Sequence, residues 1–523
     1  MSGTFYATTP IYYVNAEPHI GHTYTTCVVD TLVRYHQLAG ERTFFLTGTD
    51  EHGEKVAETA AAAGVTPKQA ADRYSGSFRS AWDTLGFSFD RFIRTTDPDH
   101  KRVVQDVLQR VYDAGQIDFR EYQGLYCVGC ERFLTERDMV DGKCRDHERE
   151  PEPRDESNYF FRMSDHFAWL AETLEATPEM IRPTRYRNEV LGMLRDESGL
   201  GDLCISRPKS RLEWGIELPF DENYVCYVWF DALINYLTGI GYPDGPDFES
   251  YWGAAEHFIG KDILKPHAVF WPCMLRALGL PPYRHLNVHG YWNVDDRKVS
   301  KSLGNMISPL AMQERYGFEA FRYFLLRDMA FGVDADFSES AMVTRVNADL
   351  ANNVGNLLSR TLNMTARYAG GVVPEPASPG AREQEVADAA ARAAEQVDVH
   401  LRGLELHRAL EAVMGLADTV NRYLEERAPW KVAKEQPAGW EADVATTLHT
   451  SCQALHSVAL LLAPFLPESA PVIFERLGVP DALATARLPD DAARWGAVAP
   501  GTATVKGGPL FPRLELEAPD ADS

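Results

Sequence analysis

Apolar and polar positions change their rhythm twice along the 523 residues. In the first ninety, short apolar runs alternate with longer segments whose apolar residues recur every three or four positions. FYATTPIYYV predicts a strand, TYTTCVVDTLVRYHQLAG a helix ending at Gly40, and RTFFLTGTD a second strand. PKQAADRYSGSFRSAWDTLG predicts a helix and DRFIRTT a third strand. Parallel strands need crossover connections that pack on the faces of their sheet, so this order implies an α/β fold with a doubly wound, Rossmann-like parallel sheet.

A similar pattern resumes after residue 224, in NYVCYVWFDALINYLTG, AEHFIGKDILKPHAVFWPCMLRALG and RHLNVHGYWNV. Residues 1–115 and 224–290 are therefore read as two halves of one sheet domain, interrupted by an inserted connective domain at 116–223 with short strands and Gly, Cys and Pro punctuation. Beyond about 345 the period is helical only, through NADLANNVGNLLSRTLNMTARYAG, AREQEVADAAARAAEQVDVHLRGLELHRALEAVMGLADTVNRYLEERAPW and DVATTLHTSCQALHSVALLLAPFL. Apolar residues at that spacing predict an all-α bundle over 346–500, joined to the sheet domain by 291–345. The tail, 501–523, is partly apolar and is expected to pack back before ending in a disordered acidic tip.

Composition narrows the class without naming a function. A net charge of −24 excludes a protein that coats nucleic acid indiscriminately, because phosphate neutralisation needs a basic surface. A specific RNA partner on a local basic groove stays open. The longest apolar run, VALLLAPFL, is too short to span a bilayer, and MSGTFYATTP carries no leader pattern, so a cytoplasmic, membrane-free protein is expected. Eight cysteines are too sparse for a disulfide scaffold. Cys27, Cys204, Cys226, Cys273 and Cys452 are isolated in apolar settings and read as packing residues.

The other three cysteines cluster. Cys127-x2-Cys130-x13-Cys144-x2-His147 offers four soft ligands in paired knuckles, the pattern of a closed tetrahedral Zn²⁺ site with a structural role.

His19 and His22, in PHIGH, fall where the first strand meets the first helix, with Pro18 suited to a helix start. A metal reading needs further ligands, and the one clear ligand cluster is already complete. At a helix N-terminus the unpaired N–H groups attract anions, and imidazole donors there would bind phosphate oxygens. The chain has neither G-x-x-x-x-G-K-[ST] nor G-x-G-x-x-G, so a P-loop ATPase and a dinucleotide dehydrogenase lack support. DDRKVSKSLGN supplies a partner, since Lys298 and Lys301 among small polar residues suit a polyphosphate.

HIGH at 19–22 together with KVSKS at 298–302 resembles the paired signatures of class I aminoacyl-tRNA synthetases. The wider match, from about residue 4 through 515, is to their bacterial methionyl branch of the single zinc-knuckle type. It includes TTPIYYVNAEPHIGH, FFLTGTDEHG, the Cys/His knuckles, YRNEV, SRPKSRLEWGI, YVWFDALINY, GKDILKPHAVFWP, HLNVHGY, NNVGNLLSR and RAPWK. Val299 stands where the family usually has Met.

The resemblance implies a methionine–tRNA ligase that forms methionyl-adenylate from methionine and ATP with Mg²⁺, then charges tRNA(Met), the initiator included. His19, His22, Lys298 and Lys301 would be catalytic, with Gly21, Gly260, Asp262 and Ser300 also at ATP. Tyr13, Trp229, Ala232, Leu233, Tyr236, Ile263 and His267 would line the methionine side chain, beside Ile11 and Tyr12. Asp50 would take the ammonium and Arg207 the carboxylate. Asn356, Arg360 and Trp430, the last expected at a helix end, would read the CAU anticodon, and 291–345 would carry the lysine loop and stem contacts. A monomer is expected, since no appended dimerisation module is recognisable. Two rivals are another class I synthetase or an HxGH nucleotidylyltransferase of the same fold, and a zinc-containing RNA-binding protein without activity.

Overall fold

The computed structural model describes residues 3–128, 132–134, 136–145, 148–196, 200–294, 297–298, 306–377 and 379–516. The chain forms two compact units, one of Thr4–Thr25 and Thr43–Gly290, the other of Met1–Gly3, Thr26–Arg42 and Tyr291–Ser523. The break at Gly290 falls where the sequence pattern ends the sheet domain.

The first unit is built on a seven-stranded sheet. Its order runs Ile181–Arg182, His285–His289, Ala255–Gly260, β1 (Thr4–Thr8), β3 (Arg42–Asp50) and β2 (Tyr12–Tyr13), with β4 (Arg91–Arg94) also on β3. β1 pairs in parallel with Ala255–Gly260, and both β2 and β4 pair in parallel with β3. The single strand expected over FYATTPIYYV is thus two strands. Pro10 interrupts it because proline has no N–H for the ladder. Gly48 lets β4 approach β3, since a Cβ there would sit 1.9 Å from the Ile93 carbonyl oxygen. The helix α1 (Ile20–Leu38) starts from the loop after β2.

The inserted segment begins with a long antiparallel pair, Ile117–Cys127 against Glu152–Phe161. It does not stay separate to residue 223. Ile181–Arg182 joins the parallel sheet beside Leu286–Asn287, flanked by helices Phe167–Ala176 and Thr184–Arg195. A two-residue strand has no readable period, so the sequence pattern could not reveal this return.

In the second unit, the helices Ala381–Arg402, Leu406–Arg427 and Trp440–Leu462 pack as a bundle. Glu339–Val346 continues through wider π turns at Asn347–Gly355 into Asn356–Tyr368. The long run read as one helical period breaks at Leu404 and Ala428, which adopt φ of 61° and 42°. Trp430 consequently lies in the first turn of a new helix, Pro429–Glu435, and not at a helix end, because Pro429 is preorganised for the first helical position. In the same unit the buried Asp30, in the C-terminal half of α1, pairs with the buried Arg322 at 2.6 Å. The tail packs back as expected: Asn347 holds the backbone of Leu514 through two hydrogen bonds, and Arg476 donates to the Gly508 carbonyl. Among the described residues, no helix is long and apolar enough to cross a membrane.

Candidate active site and RNA-reading face

The two histidines that precede and open α1 are arranged by their own backbone. His19 Nδ1 accepts the N–H of Gly21 at 3.1 Å, and His22 Nδ1 accepts the N–H of His19 at 3.3 Å. In each neutral ring the proton is therefore left on Nε2, which makes both rings donors through that atom. The rings stack at 3.8 Å, and burial, then the neighbouring His19, hold His22 well below the ordinary imidazole value. Two neutral N–H donors at a helix N-terminus form an anion-binding arrangement rather than a metal pair. A Cβ at Gly21 would meet the His19 ring at 3.1 Å, so glycine keeps that ring in place.

Tyr12 belongs to this cluster. Its ring lies 4.7 Å from that of His22, and its hydroxyl donates to the His22 carbonyl. His289, at the end of its strand, approaches Thr25 Oγ1 at 2.7 Å. Gly260 is opposite His289 in the parallel register, and a Cβ there would strike Asp262 Oδ1 at 2.6 Å. Gly260, Asp262 and His289 thus meet at one strand end. His289 falls within HLNVHGY, where local spacing assigns it no role, and its place beside α1 is a product of sheet order.

Of the expected methionine residues, Tyr13, Asp50, Trp229, Tyr236, Ile263 and His267 come together at the carboxyl ends of the strands, where doubly wound sheets bind ligands. Asp50, 3% exposed, ends β3 opposite Tyr13. Its charge acts on the Tyr236 phenol, which burial first of all pushes up. Tyr236 OH lies 2.8 Å from His267 Nε2, and His267 Nδ1 lies 2.9 Å from the Ile263 carbonyl oxygen. Trp229 meets the His267 ring edge-on at 6.1 Å. Leu233 is in the buried core, with Ile11, Tyr13, Trp229 and Ile263 packed against it partly exposed. Ala232 is buried, and its carbonyl accepts from Asn235. An aromatic, weakly polar wall of this kind suits a thioether.

Arg207 is held in an aromatic clamp, over Tyr126 at 5.2 Å and Tyr227 at 4.8 Å, and donates to the Ser206 carbonyl. With Arg120, Lys265 and Phe270 it lines a cavity of about 200 Å³.

In the bundle unit the Arg360 guanidinium lies 5.1 Å over the Trp430 ring and pairs with Glu425 at 2.6 Å. Asn356, one turn earlier on the same helix, is exposed. It borders a cavity of about 440 Å³ with Asn352, Ser359 and Phe511. An amide, a guanidinium and an indole on one face are the groups with which proteins hold splayed single-stranded bases.

Cys127 and Cys144 are both buried and pack in a small cluster with Leu134 and Met139. Cys127 pairs with Arg132 across a hairpin, and the Glu148 N–H closes a turn on the Cys144 carbonyl. Cys130 and His147 lie outside the described residues, as do Ser300 and Lys301. Lys298 is placed only by its backbone, which pairs with Asn293. The isolated Cys27, Cys204, Cys226, Cys273 and Cys452 are all buried, and burial pushes the Cys27 thiol up to about 12.

A family model described as tRNA synthetases class I (M) matches residues 5–150 and 136–362. One described as the anticodon binding domain of methionyl tRNA ligase matches 373–520. The methionine–tRNA ligase of Deinococcus radiodurans is 46% identical over 98% of this chain and 75% of its own length. That of Streptomyces coelicolor is 41% identical over 98% of this chain and 97% of its own. The structure of Mycobacterium tuberculosis methionyl-tRNA synthetase in complex with methionyl-adenylate is 39% identical, with a TM-score of 0.92 over 98% of this chain and 100% of that one.

Proposed function

The chain belongs to the class I tRNA synthetases of the methionyl type, and on that premise we propose that it activates methionine with ATP and transfers the methionyl group to the 3′ end of tRNA(Met). The observation that carries the reading is the pair of neutral Nε2 donors, His19 and His22, in the same unit as the Asp50, Tyr236, His267 and Trp229 pocket.

The methionine carboxylate attacks the α-phosphorus of ATP, and pyrophosphate leaves. A carboxylate is already a nucleophile, so the step needs no general base. It is accelerated by positioning and by cations and N–H donors at the phosphate oxygens. His19 and His22 donate Nε2–H to those oxygens. Lys298 and Lys301 supply positive charge, with Gly21 and Ser300 beside the phosphates. Gly260 and Asp262 flank the adenosine. Mg²⁺, when bound with ATP, would neutralise part of the phosphate charge. Asp50 binds the ammonium, Arg207 the carboxylate, and the Tyr13, Trp229, Ala232, Leu233, Tyr236, Ile263 and His267 wall holds the thioether, with Ile11 and Tyr12 beside it. The ribose hydroxyl of the tRNA terminus then attacks the carbonyl carbon of the adenylate, and AMP leaves.

Asn356, Arg360 and Trp430 read the anticodon, of initiator and elongator tRNA alike. Cys127, Cys130, Cys144 and His147 hold one structural Zn²⁺. Two buried thiols within a small apolar cluster, one at a strand end and one at a backbone turn, support that role. The catalytic domain is proposed to comprise 1–115 and 224–290 together with the strand Ile181–Arg182, the inserted domain the rest of 116–223, and the anticodon-binding domain 346–500. The enzyme acts as a cytoplasmic monomer.

Amino-acid-dependent pyrophosphate exchange tests the proposal. Exchange with methionine alone is expected. Exchange driven by another amino acid would select a different class I specificity, and no exchange at all would leave an RNA-binding protein.

A further inference from the structure

Asp231 is 1% exposed in the Val228–Leu233 helix, between Trp229 and the Ala232–Leu233 pair. Its Oδ2 lies 2.6 Å from Nδ1 of His52, and its Oδ1 lies 2.8 Å from Nε2 of His100. Both imidazoles are buried as well. The three side chains come from three elements: the segment just past β3, the Pro98–Asp113 helix, and the helix that carries Trp229, Ala232 and Leu233. Burial on its own would raise the Asp231 carboxyl, and the two imidazoles more than offset this and lower it. A buried carboxylate that takes a donor on each oxygen is geometrically committed, because losing either leaves a charge without compensation.

The segment that His52 ends is clamped from its other side too. Glu51 is fully buried and receives Arg94 through two hydrogen bonds of 2.6 and 2.9 Å. The Trp214 indole donates to its carbonyl at 2.5 Å. Asp50 therefore stands at the head of a three-residue stretch pinned by Arg94 at Glu51 and by Asp231 at His52.

We propose that His52, Asp231 and His100 form a positioning device that sets the spacing between the Asp50 carboxylate and the Trp229–Leu233 wall, and thereby the enzyme's selectivity for methionine. This rests on the reading above in which Asp50 takes the ammonium and the wall takes the thioether. A methionine molecule has a limited reach from ammonium to sulfur and methyl, so the two ends of its site must be held at a distance that this reach can fill. The ammonium end sits on the strand tip and the thioether end on the helix, and the His52–Asp231 hydrogen bond joins the two directly. His100 holds the second oxygen, so that Asp231 cannot swing away. All three are positioning residues, acting through Asp50 and the wall.

The test is Asp231→Asn in the full chain, read by pyrophosphate exchange. The kcat/KM for methionine is expected to fall by up to about 10²-fold, the effect of displacing a reacting group by about 1 Å. The KM for ATP should hold, and the preference for methionine over ethionine, which is one methylene longer, should shrink. His100→Gln, which still offers an N–H to Oδ1, should keep most of the selectivity. A loss shared equally by methionine, ethionine and ATP, with a lowered Tm, would make the cluster a structural element only and overturn the proposal. If Asp231→Asn does not fold, His52→Asn is measured in the same way, with the methionine-induced Tm shift as a second readout, and the same outcomes decide. Asp50→Asn separates the two levels. An unchanged methionine KM there defeats the ammonium assignment and this inference with it. A raised KM there, with Asp231→Asn unaffected, defeats this inference alone.

Discussion

The hydrogen bond between Tyr236 OH and His267 Nε2, 2.8 Å long, can run in one direction only. His267 Nδ1 lies 2.9 Å from the Ile263 carbonyl oxygen, which can only accept, so the ring proton is on Nδ1. The neutral ring then accepts the Tyr236 proton at Nε2, and the phenol oxygen is left facing its surroundings as an acceptor.

That arrangement predicts a pH dependence. Burial pushes His267 down to about 4, against about 6.5 in an unfolded chain. The folded state thus disfavours the proton. Its contribution to stability is complete above about pH 6.5 and is lost as pH falls toward 4, about 3 kcal/mol over the window. Burial moves His22 and His257 the same way. Urea unfolding at pH 7.5 and 4.5 should show a larger acid loss for the natural protein than for His267→Gln. Equal losses would mean that His267 does not carry its share.

Lys301→Ala is expected to slow adenylate formation by roughly 10²–10³-fold, the usual effect of removing one preorganised charge donor. Methionine affinity should change little, because the lysine is assigned to phosphate alone. Single-turnover measurement decides, and a full-rate variant would take the loop out of the mechanism.

The protein should carry one Zn²⁺ per chain when purified without chelator. Cys144→Ser should loosen the lobe around Leu134 and Met139 while leaving the parallel sheet and the helices intact. A structural zinc contributes on the order of 10 kcal/mol of binding energy coupled to folding at neutral pH. Metal analysis together with proteolysis of the lobe provides the check, and metal-free protein of undiminished stability would refute the site.

Trp430→Ala should lower aminoacylation of a CAU-bearing tRNA by about one to two orders of magnitude, since a stacking platform is worth roughly 1–3 kcal/mol per base. Methionine-dependent pyrophosphate exchange, which needs no tRNA, should hold. Asn356→Ala should act similarly and relax discrimination among anticodons. Wild-type charging by Trp430→Ala, or the loss of exchange as well, would make the indole a packing residue beneath Arg360.

Chemistry that rests on local spacing was legible in the residues themselves. HIGH at the start of α1, Asp50 at the end of a strand and the Asn356–Arg360 pair on one helix face all follow from short-range order, because a strand end, a helix start and an i, i+4 spacing each place side chains within a few residues. The helical bundle was legible for the same reason, in its three- and four-residue period. Two features were not. Ile181–Arg182 is too short to show a period, and Trp430 changed from a helix end to a helix start because Ala428 breaks the run with a left-handed backbone.

The sequence by itself determined which chemical groups the protein has and which short segments carry them. Only the tertiary structure decided which groups meet. His52 and Asp231 are 179 residues apart, and His100 and Asp231 131 apart. No local period encodes such a meeting, since it arises from the order in which parallel strands are laid side by side. The same holds for His289 against Thr25, which are 264 residues apart. The proton positions on His19, His22 and His267 were likewise settled in three dimensions, because a ring's tautomer depends on which neighbour is already a donor or an acceptor.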